Sequence, residues 1–251
     1  MSLALYFMQD SMIFNAEKLP SDFKFSFRNE FEEFNLKTED NETLNGILFK
    51  AKEPKGAVLF YHNSSGNINT WSTSGIFLNN LDYDVLIMDY RGFGKSTGKL
   101  DEQLMLKDSL IWYDLMKDLY KENSFIVYGR GLGALLATYA SSKNNPNKLL
   151  LESPLYSANF TSKYHYPYLP VRLLLKYKFE TYRYIENVKC KIYFFHGMKN
   201  KLVSYTSSEK LYELVKDNSE LCLMPDCTHY NLIESPIYLK KIRKILLENR
   251  Y

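Results

Sequence analysis

The chain has 251 residues, 45% of them hydrophobic and 24% charged, a balance that excludes a disordered tail, a collagen-like fibre and a disulfide scaffold. Its 32 Lys and Arg against 29 Asp and Glu give +3 with no run of five like charges, so nothing favours nucleic-acid binding. Four histidines (His62, His165, His196, His229) and three cysteines (Cys190, Cys222, Cys227) without C-x-x-C spacing leave few groups for imidazole or thiolate chemistry, and no metal site is expected.

Leu3 to Met8 is apolar but stops at Gln9 and Asp10, short of the roughly 20 residues of a membrane span. The chain reads as cytoplasmic, or as membrane-anchored or exported if a longer native start precedes Met1. Glu30 to Lys37 and Thr43 to Lys50 read as two strands joined by a turn at Asp40-Asn41. Buried-type runs follow at Ala57 to Tyr61, Asp84 to Met88, Ser124 to Tyr128, Leu149 to Leu151, Lys191 to Phe195 and Glu220 to Met224. Helical patterns lie between or after them, at Thr70 to Leu81, Leu100 to Tyr120, Leu132 to Ser142, Ser207 to Lys216 and Pro236 to Glu248. Strand alternating with helix predicts an α/β fold: a mostly parallel sheet, an antiparallel N-terminal hairpin and helices on both faces.

Without repeats or a Gly/Ser-rich linker, residues 1–251 read as a single domain. Pro154 to Tyr184 is too long for a plain crossover and carries Tyr156, Phe160, Tyr164, Tyr166 and Tyr168. It is expected to form a cap or lid, its aromatics either lining an acyl pocket or packing the lid on its base.

Phe125-Ile-Val-Tyr-Gly129-Arg130-Gly131-Leu132-Gly133-Ala134 runs from a buried strand into a helix and permits two readings. As G-x-G-x-x-A, with Glu152 closing the next strand, it mimics a dinucleotide fingerprint. As a nucleophile elbow, G-x-S-x-G, it has Gly131 where the serine belongs. A dinucleotide site follows the first strand of its unit, whereas at least four strands precede this one, so the elbow is favoured.

Four further segments agree with the elbow. Asp89-Tyr-Arg-Gly-Phe-Gly-Lys-Ser96 follows a strand, Leu59 to Asn67 ends a strand in His62-Asn63-Ser64-Ser65-Gly66-Asn67, Phe194 to Asn200 contains His196-Gly197, and Pro225 to Leu232 contains His229. Together these resemble the α/β hydrolases, in their esterase-like or serine-aminopeptidase-like small single-domain group, over nearly the whole chain. The resemblance implies a nucleophile position at 131, an acid position at 200, a general base at His229, and an oxyanion hole made by the backbone N–H groups of Ser64 and Leu132. This chain departs from the pattern with Gly131, which has no hydroxyl, Asn200, which has no charge, and Asn63, where glycine is usual.

Glycine preserves the strained turn while deleting the attacking atom, so conventional acyl-enzyme chemistry is not expected. Glu152 is a candidate substitute acid for His229, against a structural role. Cys227 reads as a packed thiol, Ser64, Ser65 and Ser153 as turn or capping hydroxyls, His62 and His196 as strand-end structural residues, and His165 as a surface or packing residue. No cofactor is implied, and oligomeric state is not readable. The functional readings are a catalytically impaired relative of serine hydrolases, a non-catalytic module binding a small apolar or acyl ligand or a protein partner, and a weak hydrolase using His229 with Glu152.

Overall fold

The computed structural model describes residues 2–166, 168 and 170–247. Helix α1 (Ser2–Ile13) leads into a short strand β1 (Asn15–Ala16), followed by the hairpin β2 (Phe31–Lys37) and β3 (Thr43–Phe49). The turn between them places Asn41 at φ +63°, a left-handed position that asparagine tolerates. Then come β4 (Ala57–Tyr61), β5 (Ser65–Gly66), α2 (Ile68–Asn79), β6 (Asp84–Met88) and α3 (Glu102–Leu119). Strand β7 (Phe125–Arg130) runs into α4 (Leu132–Lys143) and β8 (Lys148–Glu152). Three short helices, α5 (Ala158–His165), α6 (Val171–Leu174) and α7 (Tyr182–Ile185), separate β8 from β9 (Lys191–Gly197). The chain continues through α8 (Thr206–Val215), β10 (Ser219–Met224) and α9 (Pro236–Leu247).

Eight strands form one sheet in the order β10-β9-β8-β7-β4-β6-β3-β2. Neighbours from β6 to β10 are parallel, whereas β3 runs antiparallel to both β2 and β6. This is the α/β-hydrolase fold. The central strands are buried along their full length because helices cover both faces. Trp112 of α3, Leu135 of α4, Ile185 of α7 and Leu211 of α8 pack on one face; Ile68 and Leu78 of α2 with Tyr238 and Ile242 of α9 pack on the other.

Element ends differ from the sequence pattern where capping decides them. Helix α2 begins before Thr70 because the Asn67 side chain accepts the Thr70 N–H at 3.2 Å, and α3 begins after Asp101, which accepts from Leu104 N. Strand β7 extends two residues past Tyr128, through Gly129 and Arg130, because its pairing with β8 persists to Arg130 opposite Glu152. Glu248 lies outside the described residues. Among the described residues no helix is long and apolar enough to cross a membrane.

The Asp89 to Ser96 segment ties these layers together. Asp89 accepts the Ile68 N–H at the start of α2 and lies 3.5 Å from His62 Nε2, and burial pushes its carboxyl pKa up. Arg91 bridges Asp40 of the hairpin turn and Asp108 of α3, while the Ser96 hydroxyl donates to the Asp89 carbonyl.

The elbow glycines permit a close helix–strand approach. A Cβ at Gly133 would lie 2.0 Å from the Tyr61 carbonyl oxygen and one at Gly129 would lie 2.4 Å from the Gly133 carbonyl. Both obstacles are backbone, so they cannot turn aside. Gly133→Ala is expected to destabilise the chain by roughly 3 kcal/mol or more, read as a lowered midpoint in urea unfolding.

Candidate active site

The site lies at the carboxyl ends of β4, β7, β8 and β9. Strand β4 delivers His62, Asn63 and Ser64. The His62 ring is stacked near Trp71 and Tyr90, and its Nδ1 lies 2.6 Å from the Asn63 carbonyl oxygen, to which it donates, so the imidazole orders the turn. The N-terminal segment secures the same turn, since the Asn15 N–H donates to the Ser64 carbonyl at 3.0 Å and β1 pairs with β5. The Ser64 N–H is thereby left facing inward.

Gly131 stands between β7 and α4 with φ +57° and ψ −115°, the strained turn expected of a nucleophile elbow. The backbone N–H groups of Ser64 and Leu132 converge, as a hole for an oxyanion requires, but the space between them is filled. Asn63 Oδ1 accepts from Ser64 N at 2.8 Å and from Leu132 N at 3.3 Å. A Cβ on residue 131 would lie 2.2 Å from that oxygen. The carboxamide of Asn63 therefore fills the space between these two N–H groups and the space that a Cβ at residue 131 would take.

His229, on the loop after β10, meets Asn63 on one side and Asn200 on the other: Asn63 Nδ2 lies 2.9 Å from Nε2 and Asn200 Nδ2 lies 3.0 Å from Nδ1. Asn200 is fixed by its own oxygen, which accepts the N–H groups of Leu202 and Val203 at 3.0 Å each. Its nitrogen also donates to the hydroxyl of Ser153, a buried residue held at φ +50°. An aspartate here would accept from the ring; asparagine presents an N–H instead. Burial, with the charge of Arg130 and the neighbouring His196, holds the His229 pKa down to about 4. His196 is held at about 4 by burial, with Ser208 at Nδ1 and the Val203 carbonyl at Nε2.

The placement of Glu152 corrects the reading of it as a partner for His229. One of its oxygens lies 3.1 Å from Arg130 Nε and the other accepts the Tyr128 hydroxyl, in a fully buried position. Arg130 in turn donates to the His229 carbonyl at 2.7 Å and lies over the Trp71 ring. Glu152 thus supports the loop through Arg130 and makes no hydrogen bond to the imidazole among the described residues. Arg130, which sequence reasoning passed over, is the side chain joining the elbow strand to the histidine loop. Its one cue was the register, an arginine opposite a buried acid on the neighbouring strand.

A cavity of about 200 Å³ adjoins this polar end, walled by Ile13, Leu155, Leu175, Phe179, Leu202 and Val203. Its walls are mainly apolar and include Phe179 but no tyrosine. Tyr164, Tyr166 and Tyr168 are exposed, while Tyr156 stacks on Tyr182 and packs edge-on to Phe160. His165 is exposed and lies 3.0 Å from the Leu202 carbonyl, and Cys227 is buried. Among the described residues no cluster of three or more His, Cys, Asp or Glu is placed to hold a metal ion.

The family model for serine aminopeptidase, S33, matches residues 52–180, from before β4 through the cap. The chain belongs to this family of α/β hydrolases. Curated relatives of this S33 member include uncharacterized protein Rv2307c of Mycobacterium tuberculosis, 28% identical over 85% of this chain and 78% of the relative. Protein bem46 of Schizosaccharomyces pombe is 25% identical over 93% of this chain and 81% of its own length. Lysophosphatidylserine lipase ABHD12 of Danio rerio is 25% identical over 69% of this chain and 50% of the lipase. Among solved structures, a Pyrococcus furiosus esterase superposes with a TM-score of 0.71 at 22% identity, covering 94% of this chain and 97% of the esterase. The S33 member is thus an α/β hydrolase related to esterases and lipases.

Two measurements check this description. The unfolded chain binds protons at His196 and His229 near the ordinary imidazole value of about 6.5, whereas the folded chain refuses them until about 4. Stability is therefore expected to fall as pH drops through that window, by up to about 1.4 kcal/mol per pH unit for each imidazole, as urea titrations at stepped pH would register. Glu152→Gln leaves the Arg130 charge buried without its counter-ion and is expected to cost about 3 to 5 kcal/mol, seen as a fall in Tm.

Proposed function

We propose that this S33-family chain is a non-catalytic binding protein that keeps the acyl pocket of its serine-hydrolase relatives as a site for a small apolar or acyl ligand. The observation that carries this reading is the Asn63 carboxamide lying in the hole beside Gly131, with Asn200 rather than a carboxylate behind His229. Acyl transfer needs an attacking hydroxyl, a base that is stabilised when it takes the proton, and donors free to receive the oxyanion. Gly131 has no attacking atom. A protonated His229 would present N–H groups to the amide nitrogens of Asn63 and Asn200, and the hole donors are engaged by Asn63.

The aliphatic cavity supports an apolar or acyl ligand, and the relative named for lysophosphatidylserine suits such a ligand class, although this chain covers half of that lipase. The reading of a weak hydrolase built on His229 and Glu152 draws no support from Glu152, which is committed to Arg130 and Tyr128.

The parent is expected to show no His229-dependent turnover of p-nitrophenyl esters and no stoichiometric labelling by a fluorophosphonate; observing either the turnover or the labelling would refute the non-catalytic reading. Restoring Gly131→Ser and Asn200→Asp together is expected to leave the chain inactive, because the new Cβ meets Asn63 at 2.2 Å. Adding Asn63→Gly should bring esterase turnover on the order of 10³-fold above the parent. Equal activity in the double and triple variants would show that Asn63 does not block the site.

A further inference from the structure

Resting on the binding-site reading above, we propose that the Asn63 side chain is a displaceable internal occupant, and that the position it vacates takes the carboxylate of an aliphatic carboxylic acid whose tail lies in the adjoining cavity. The argument begins from a mismatch in hydrogen-bond polarity. Asn200 cannot turn its amide over, because its oxygen accepts the backbone N–H groups of Leu202 and Val203. Its nitrogen therefore faces His229 Nδ1 as a donor, and a neutral imidazole must accept there and carry its proton on Nε2.

That Nε2–H points at the nitrogen of Asn63, a donor against a donor at 2.9 Å. Turning the Asn63 amide over only moves the conflict, since its NH₂ would then face the N–H groups of Ser64 and Leu132. In either orientation the carboxamide leaves one polar contact wrong, and a buried polar group lacking a proper partner is costly. Asn63 fills the site without satisfying it.

A carboxylate resolves every contact. It offers only acceptors, so one oxygen can take the Ser64 and Leu132 N–H groups while the other takes His229 Nε2–H. A primary amide repeats the fault of Asn63, and an alcohol or ester carbonyl brings a single oxygen for donors on two sides. The charge arrangement agrees: Asn200 removes the negative charge that an acid would place behind the ring, none of the residues lining the cavity is acidic, and Gly131 leaves room at the head of the pocket. The same substitutions that remove acyl-transfer groups make a site for the acid itself.

The test is calorimetric titration of the full chain and of Asn63→Ala with sodium octanoate, octanamide and octan-1-ol. Octanoate is expected to bind the parent at least ~10-fold more tightly than octanamide, since the difference is one mispaired buried polar contact. Asn63→Ala is expected to tighten octanoate by a further ~10-fold or more, because the binding-competent state no longer has to displace the side chain. Asn63→Gly serves as a second variant if circular dichroism shows the alanine chain unfolded. In the octanoate complex, ¹⁵N shifts should place the His229 proton on Nε2.

If octan-1-ol and octanamide bind as well as octanoate, or if the proton lies on Nδ1, the carboxylate inference is overturned while the apolar-pocket reading stands. If none of the three binds either chain, both fall. If octanoate binds but removing the Asn63 side chain does not tighten it, the displaceable occupant is overturned.

Discussion

Helix α4 lies so close to strand β4 that no side chain fits between them at Gly133, where a Cβ would fall 2.0 Å from the Tyr61 carbonyl. This approach brings the end of β4 against the elbow. It places the Ser64 and Leu132 N–H groups on one point and brings Asn63 within reach of residue 131. In this arrangement the Asn63 carboxamide lies between those two N–H groups. With Gly131 and Asn63 the arrangement is a set of internal hydrogen bonds that joins the Ser64 and Leu132 N–H groups, Asn63 and His229.

The second constraint is one of polarity. His229 stands between two carboxamides whose orientations are set by backbone donors rather than by the ring. An imidazole acting as a base needs an acceptor behind it to stabilise the charge it acquires, whereas here both sides present N–H groups and the ring remains neutral down to about pH 4. Glu152, fully buried nearby, does not relieve this, because its charge balances Arg130.

Much of this was legible in the sequence. The runs Ala57–Tyr61 and Asp84–Met88 coincide with β4 and β6, since unbroken apolar stretches of five residues fit strands buried on both faces. The glycine-spaced strand–helix junction at 129–133 stood out by its pattern, and the segments around Asn200 and His229 by their resemblance to those of α/β hydrolases. Less visible was what the side chains do once assembled. Asn63 could be noticed as a departure from glycine, but that it fills the hole follows from contacts with Leu132 and His229, which lie 69 and 166 residues away. Sequence alone left Glu152 open between a substitute acid and a structural role, and the contacts with Arg130 and Tyr128 that give it a structural one are visible only in the fold. The tyrosines between β8 and β9 were open to two readings in the sequence, because aromatic content does not tell which residues face a cavity and which face solvent.

One wall of the cavity is contributed by the beginning of the chain. Ile13 lines it, and α1 is fastened to the cap by the Gln9 side chain, which donates to the Leu174 carbonyl and accepts the Lys176 N–H, and by Asp10 against Lys176 and Tyr177. These contacts span more than 160 residues, so closing this wall carries the entropic cost of a long loop. The cavity therefore owes one side to a residue at the end of the first helix, and that side is held in place by contacts made far along the chain.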